Sequence, residues 1–166
     1  EASRIPGDIR EAVARIADVT AAGSITYQTV ETEHRGDKLR LYVIGYELTR
    51  PGGPPAIAEG REIARSHYEM VADQSTGLAL GDRIRLGRHV FTVVGLTRHQ
   101  VNSGGDPAIY ITLPDAQKLQ FDLAPPAARV QLARGTGGSS LDTVNAVVAR
   151  LDANASPEAV AETVRR

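Results

Sequence analysis

The stretch Gly77-Leu-Ala-Leu-Gly-Asp-Arg-Ile-Arg-Leu-Gly-Arg-His-Val-Phe-Thr-Val-Val-Gly-Leu96 decides how the chain folds. Arg83, Ile84, Arg85 and Leu86 alternate basic and apolar side chains. That is the period of a strand with one buried face, so Ile84 and Leu86 are expected inside and Arg83 and Arg85 outside. Residues 89–96 have the β-branched and aromatic composition of a second strand. Only Gly87 and Arg88 separate the two, a connection suited to a type II′ turn with glycine first. Upstream, residues 68–72 read as a strand and 75–80 as a helical turn that Gly81-Asp82 ends.

Further out, breakers mark the seams. Arg50-Pro-Gly-Gly-Pro-Pro55 continues neither a helix nor a central strand, and Asn102-Ser-Gly-Gly-Asp-Pro107 is a second soft connection. On the amino side, residues 8–19 place Ile9, Val13, Ile16 and Ala17 on one helical face, with Asp8 suited to cap it. Residues 24–33 and 38–46 then read as a hairpin turning at 34–37. On the carboxyl side, residues 108–113 read as a strand and 114–121 as a helix with proline at its first position. A strand is expected at 129–133, and a helix at 139–151 with Leu141, Val144, Val148 and Leu151 in phase. The last segment fits a helix opening at Ser156-Pro157-Glu158 or an alternating strand. The expected class is α+β in two lobes: a βα-rich lobe from residues 1–49 and 108–166, and an inserted small β-rich lobe over 50–107.

Composition narrows the function. A chain of 166 residues is long enough for a core without covalent staples. It carries 19 basic and 20 acidic residues, a net charge of −1, which argues against a dedicated nucleic-acid binder. With no cysteine there are no disulfides, thiolate metal sites or cysteine nucleophiles, and the redox compartment stays open. Five Tyr, two Phe and no Trp make a stacking platform hard to build. No run reaches the ~18–20 apolar residues of a membrane-spanning helix. Opening on Glu1-Ala-Ser3 without Met and closing in a polar stretch, the chain is expected to be part of a longer protein.

Candidate chemistry is sparse. Arg134-Gly-Thr-Gly-Gly-Ser-Ser140 lies between an expected strand and helix, where phosphates meet free N–H groups, but it lacks the lysine and spacing of a phosphate-binding loop. It reads better as a helix cap by Ser139 or Ser140 with Asp142 on the dipole. His34, His67, His89 and His99 form no metal-ligand spacing, so no metal or other cofactor is expected. Ser66, His67 and Asp73 are the residue types of a hydrolytic triad, but neighbours on extended chain face opposite sides, and no catalytic residue is assigned. Arg83, Arg85, Arg88, His89, Arg98 and His99 form a local basic excess suited to phosphates or an acidic partner, although strand alternation already accounts for the first two.

The order of several phrases carries more than any one motif. Gly60-Arg61 is followed by Tyr68-Glu-Met-Val-Ala-Asp73, and then by the 77–86 and 89–96 runs. Ala108-Ile-Tyr-Ile-Thr-Leu-Pro-Asp-Ala-Gln-Lys-Leu119 comes last. This order resembles the extracytoplasmic domain of ABC-transporter permeases of the MacB/FtsX-like superfamily. Asp18-Val-Thr-Ala-Ala-Gly-Ser-Ile25 agrees more loosely.

The resemblance implies a non-catalytic periplasmic domain of an inner-membrane permease, with both chain ends joining transmembrane helices. It implies a separate cytoplasmic ABC ATPase as partner, and a periplasmic adaptor or amphiphilic cargo, in export or lipoprotein release. No nucleic-acid partner is expected; the free domain is expected to be monomeric and the full permease dimeric. The contact loop is expected at residues 98–106, through Arg98, His99, Gln100 and Asn102 on an adaptable Gly-rich backbone. A stand-alone small-barrel module binding a ligand or nucleic acid is the alternative, and it would need a basic or aromatic face.

Overall fold

The computed structural model describes residues 5–6, 8–65, 67–127, 143–152 and 154–165. The elements, in chain order, are β1 (Ile5–Pro6), α1 (Ile9–Ala14), β2 (Val19–His34), β3 (Asp37–Tyr46), β4 (Glu59–Gly60) and β5 (Glu69–Asp73). They continue with β6 (Arg83–Leu86), β7 (His89–Thr97), β8 (Ala108–Thr112), α2 (Leu113–Leu123), β9 (Thr143–Val144), β10 (Ala146–Leu151) and α3 (Pro157–Arg165). Eight strands make one mixed sheet in the order β10-β2-β3-β8-β5-β7-β4, with β6 on β7, while β1 pairs with β9. The α+β class follows directly.

The 83–96 hairpin forms as its alternation requires. Ile84 and Leu86 are buried, Arg83 and Arg85 are exposed, and Leu86 faces His89 across a turn in which Gly87 takes φ 60°. The β2–β3 ladder runs from Ile25↔Tyr46 to His34↔Asp37 and turns on Arg35 and Gly36, both at positive φ. Segment 50–107 supplies β4–β7, and among the described residues its strand pairing with the rest is that of β5 with β8, at Val71↔Tyr110 and Ala72↔Ile109. The main core crosses that seam: Val30, Leu41 and Val43 pack with Met70, Ile84, Phe91 and Val93, under Ala116 and Leu119 of α2. Each large apolar side chain so buried contributes about 1.5–3 kcal/mol.

Three expectations are corrected. The helix expected over 139–151 is replaced, where the structure describes it, by β9 and β10, and 139–142 lie outside the described residues. Thr143, Val144, Val147 and Val148 are β-branched, and β2 offers a ladder edge that Ala146–Leu151 pairs from Ile25 to Val19. The break between β9 and β10 is closed by Asn145, whose N–H donates to Ile25 O at 2.9 Å and whose Oδ1 accepts from Tyr27 N–H at 2.9 Å. Helix α1 is shorter than residues 8–19, and Asp8 makes no side-chain cap bond. Asp18 at φ 71° turns the chain into β2 four residues past its end. Helix α2 starts one residue early, with Thr112 as N-cap. The open choice at the carboxyl end resolves to helix, with Ser156 Oγ accepting from Ala159 N–H at 3.4 Å. The expected strand at 129–133 and the loop at 134–140 lie outside the described residues.

Candidate functional site

The 98–106 loop is built on a buried carboxylate. Parallel pairing sets Asp73, the last residue of β5, beside Thr97, the last of β7, and both are fully buried. Asp73 Oδ1 accepts from Thr97 Oγ1 at 2.9 Å and from the Gln100 N–H at 2.8 Å. Its Oδ2 accepts from Ser75 N–H at 3.0 Å and Ser75 Oγ at 2.5 Å. Burial pushes this carboxyl up, but the donors from Ser75, Gln100 and Thr97 outweigh it and hold Asp73 below the ordinary aspartate range. A charge thus sits beneath the loop with its acceptor capacity spent on neighbours, which leaves none for the triad considered above; Ser66 lies outside the described residues.

The loop then closes on itself. Asn102 Oδ1 accepts from Gly104 N–H at 2.9 Å and Asp106 N–H at 2.8 Å, and Asn102 Nδ2 donates to Asp106 Oδ2 at 3.2 Å. The Asn102 N–H donates to Asp106 O, Val101 bridges Pro107, and Ala108 N–H returns to Gln100 O at 2.8 Å. Arg40 Nε on β3 reaches Asp106 Oδ2 at 3.3 Å. The backbone expected to be adaptable is instead extensively hydrogen bonded.

This bracing divides the four candidate residues. Arg98 and His99 are exposed, and His99 holds φ 60°, a left-handed conformation unusual for a residue with a side chain. Gln100 and Asn102 are half-buried: one ties the loop to Asp73, and the other, expected at the surface, closes the loop on Asp106. Val101, which sequence reasoning passed over in favour of polar neighbours, is 51% exposed. The only sequence signal for it was an apolar residue stranded among turn formers.

Two of the other candidates lie beside carboxylates. His34 Nε2 lies 3.4 Å from Asp82, and His89 lies 3.9 Å from Asp122 while stacking on Tyr68 at 4.6 Å. Among the described residues no three His, Asp or Glu side chains converge as a metal site. At the other end of the sheet, a cleft of about 600 Å³ opens between the 48–55 loop and residues 62–64, with Tyr46 and Ile63 in its floor and Arg150 at its rim. Burial, then Glu62 and Tyr110, push the Tyr46 hydroxyl up to about 12, so it is a neutral phenol there.

Comparison with known proteins places this architecture among the extracytoplasmic domains of ABC-transporter permeases. A family model, the MacB-like periplasmic core domain, matches residues 2–166, and the chain belongs to that family. Its fold is similar to the periplasmic region of MacB from Actinobacillus actinomycetemcomitans, with a TM-score of 0.61 at 14% identity over 99% of this chain and 72% of that one. It is also similar to the extracellular domain of the noncanonic ABC-type transporter YknZ from Gram-positive bacteria, with a TM-score of 0.59 at 10% identity over 96% and 78%. A domain from a Porphyromonas gingivalis protein described as a permease gives a TM-score of 0.58 at 17% identity over 97% and 68%. No match was found among curated proteins.

Proposed function

We propose that the chain is a non-catalytic extracytoplasmic domain of an inner-membrane permease, and that it passes motion driven by a cytoplasmic ATPase to a periplasmic adaptor or amphiphilic cargo. In this reading residues 1–49 and 108–166 form the membrane-proximal lobe and 50–107 the inserted distal one. The free domain is a monomer, and the full permease is a dimer paired through its membrane part.

The observation that carries the reading is where the braced loop sits. The loop enters β8, whose first residue pairs with Tyr42, on the side of β3 that leads to the β2–β3 turn. Helix α1 is anchored at the other end of the sheet, where Arg10 and the Ser24 N–H both bond Glu47. Arg98 and His99 therefore lie on the far side from α1. In this reading the core that Val30, Leu41 and Val43 share with Met70, Ile84, Phe91 and Val93 suits transmission of movement between the two proposed lobes.

The test is a photo-reactive residue at exposed Ser103 in the full-length permease, with one at exposed Arg15 as control. Capture of a periplasmic protein or amphiphile from Ser103, and not from Arg15, during ATP turnover is expected. Equal or absent capture at both positions would overturn the reading.

A further inference from the structure

We propose that the β6–β7 hairpin is clasped at both ends by two histidine–carboxylate contacts, His34 with Asp82 and His89 with Asp122, which become ion pairs on mild acidification. Acid then tightens the join between residues 50–107 and the chain on either side, a property of this chain that stands apart from the transport reading.

Both contacts cross the same join. Among the described residues β6 pairs with β7 alone, so its other edge meets β2 through side chains. At the open end of the hairpin, His34 Nε2 at the end of β2 lies 3.4 Å from Asp82, the residue before β6. Beside it, Arg35 reaches the same carboxylate at 3.5 Å, and Thr32 Oγ1 donates to Arg85 O at 2.8 Å. At the turn end, His89 Nε2 on β7 lies 3.9 Å from Asp122 Oδ2 on α2. The turn is seated on that helix, since a Cβ at Gly87 would lie 2.9 Å from Leu119 Cδ1 and 3.6 Å from Asp122 Oδ2.

Each pair holds an enclosed atom that no hydrogen bond reaches, His34 Nε2 in one and Asp122 Oδ2 in the other. A buried polar atom left so is costly, and protonating the imidazole sets a cation against the carboxylate. Asp82 is charged to meet it: the Ala79 N–H outweighs burial, Arg35 and His34 add to the pull, and its carboxyl is held below the ordinary aspartate range. The His89 ring lies on the Tyr68 face, centroids 4.6 Å apart, where a cation is favoured.

The neighbouring charges are mixed. His34 faces Asp37 across the β2–β3 pair, Arg35 is 76% exposed, and Arg83 and Arg85 of β6 are exposed. Near His89, Asp115 accepts from the Tyr68 N–H, while the Lys118 ammonium and the His67 ring lie 5.9 and 6.0 Å from the Tyr68 ring; Arg88 precedes it. An imidazolium that meets a carboxylate only in the fold makes the folded state bind more protons. This contribution is therefore present in mild acid and is lost as pH rises through the histidine range.

The test compares melting temperatures at about pH 5.5 and about pH 8, between which histidine changes charge and carboxylates stay ionised. The clasp variant is His34→Gln with His89→Gln, and the control is His67→Gln with His99→Gln, the two exposed histidines. The deficit of the clasp variant is expected to be at least ~2 °C larger at the lower pH, and that of the control equal at both. Asp82→Asn with Asp122→Asn should show the same extra deficit in acid. Amide protection at Val71, Ala72, Ile109 and Tyr110, where β5 meets β8, should rise at least about threefold from high to low pH in the wild type and not in the clasp variant. A clasp-variant deficit that ignores pH would mean that the imidazoles only fill space, and would overturn the clasp. Acid stabilisation carried by the control pair would overturn it as well.

Discussion

The Asp73 carboxylate holds the backbone N–H of Gln100 at 2.8 Å from beneath, 27 residues away in sequence, and so ties the end of β5 to the loop that follows β7. A fully buried charge is costly unless its oxygens are satisfied, and here four donors satisfy them.

Removing that carboxylate should therefore release the loop. Asp73→Ala strands the Thr97, Ser75 and Gln100 donors, and is expected to cost about 2–4 kcal/mol in urea unfolding. Amide exchange at Gln100 should accelerate together with that at Ser75. Stability within 0.5 kcal/mol of wild type, an order-of-magnitude threshold for surface changes, would show that the brace is dispensable.

Part of the acid sensitivity should trace to Glu69. Its hydrogen bonds from Arg61, at 3.2 and 2.5 Å, pull the carboxyl down; burial opposes them, and the Ala64 and Arg65 amides add to the pull, leaving it at about 2 against an ordinary 4.5. The folded state then binds fewer protons than the unfolded one between those values. The contribution is fully present above about pH 4.5 and is lost as pH falls through about 2. Unfolding curves of wild type and Glu69→Gln should converge as the pH drops across that window. Parallel curves would contradict the assignment.

Gly45 sets how closely α2 approaches the sheet. A Cβ there would lie 2.3 Å from Ala116 Cβ and 2.5 Å from Thr26 Oγ1. Gly45→Ala is expected to cost about 1–3 kcal/mol by forcing helix and strand apart, read by thermal melting. An unchanged melting temperature would mean that the contact has slack.

How much of this was legible depended on range. The 83–96 hairpin could be read because alternation and a glycine-first turn are local signals, and Ile84 and Leu86 obeyed them. Residues 143–151 misled because Val144, Val148 and Leu151 match a helical period, whereas the deciding influence was the ladder edge of β2 more than a hundred residues earlier. Asp73 was visible only as a phrase in a family pattern and as a residue type of a hydrolytic triad, not as a brace, since its donors arrive from two separate stretches of chain. The candidate loop was located correctly as a connection, but its division into exposed Arg98, His99 and Val101 and bracing Gln100 and Asn102 depends on hydrogen bonds that close only in the fold.

The most direct measurement sets transport against ATP hydrolysis in the full-length permease carrying Arg98→Glu with Val101→Asp, a pair that leaves Asp73, Gln100 and Asn102 in place. The expected result is transport reduced at least tenfold, with ATP turnover and the domain's melting temperature unchanged, because the motion is still generated but no longer delivered. Transport at the wild-type rate in that variant would contradict the account.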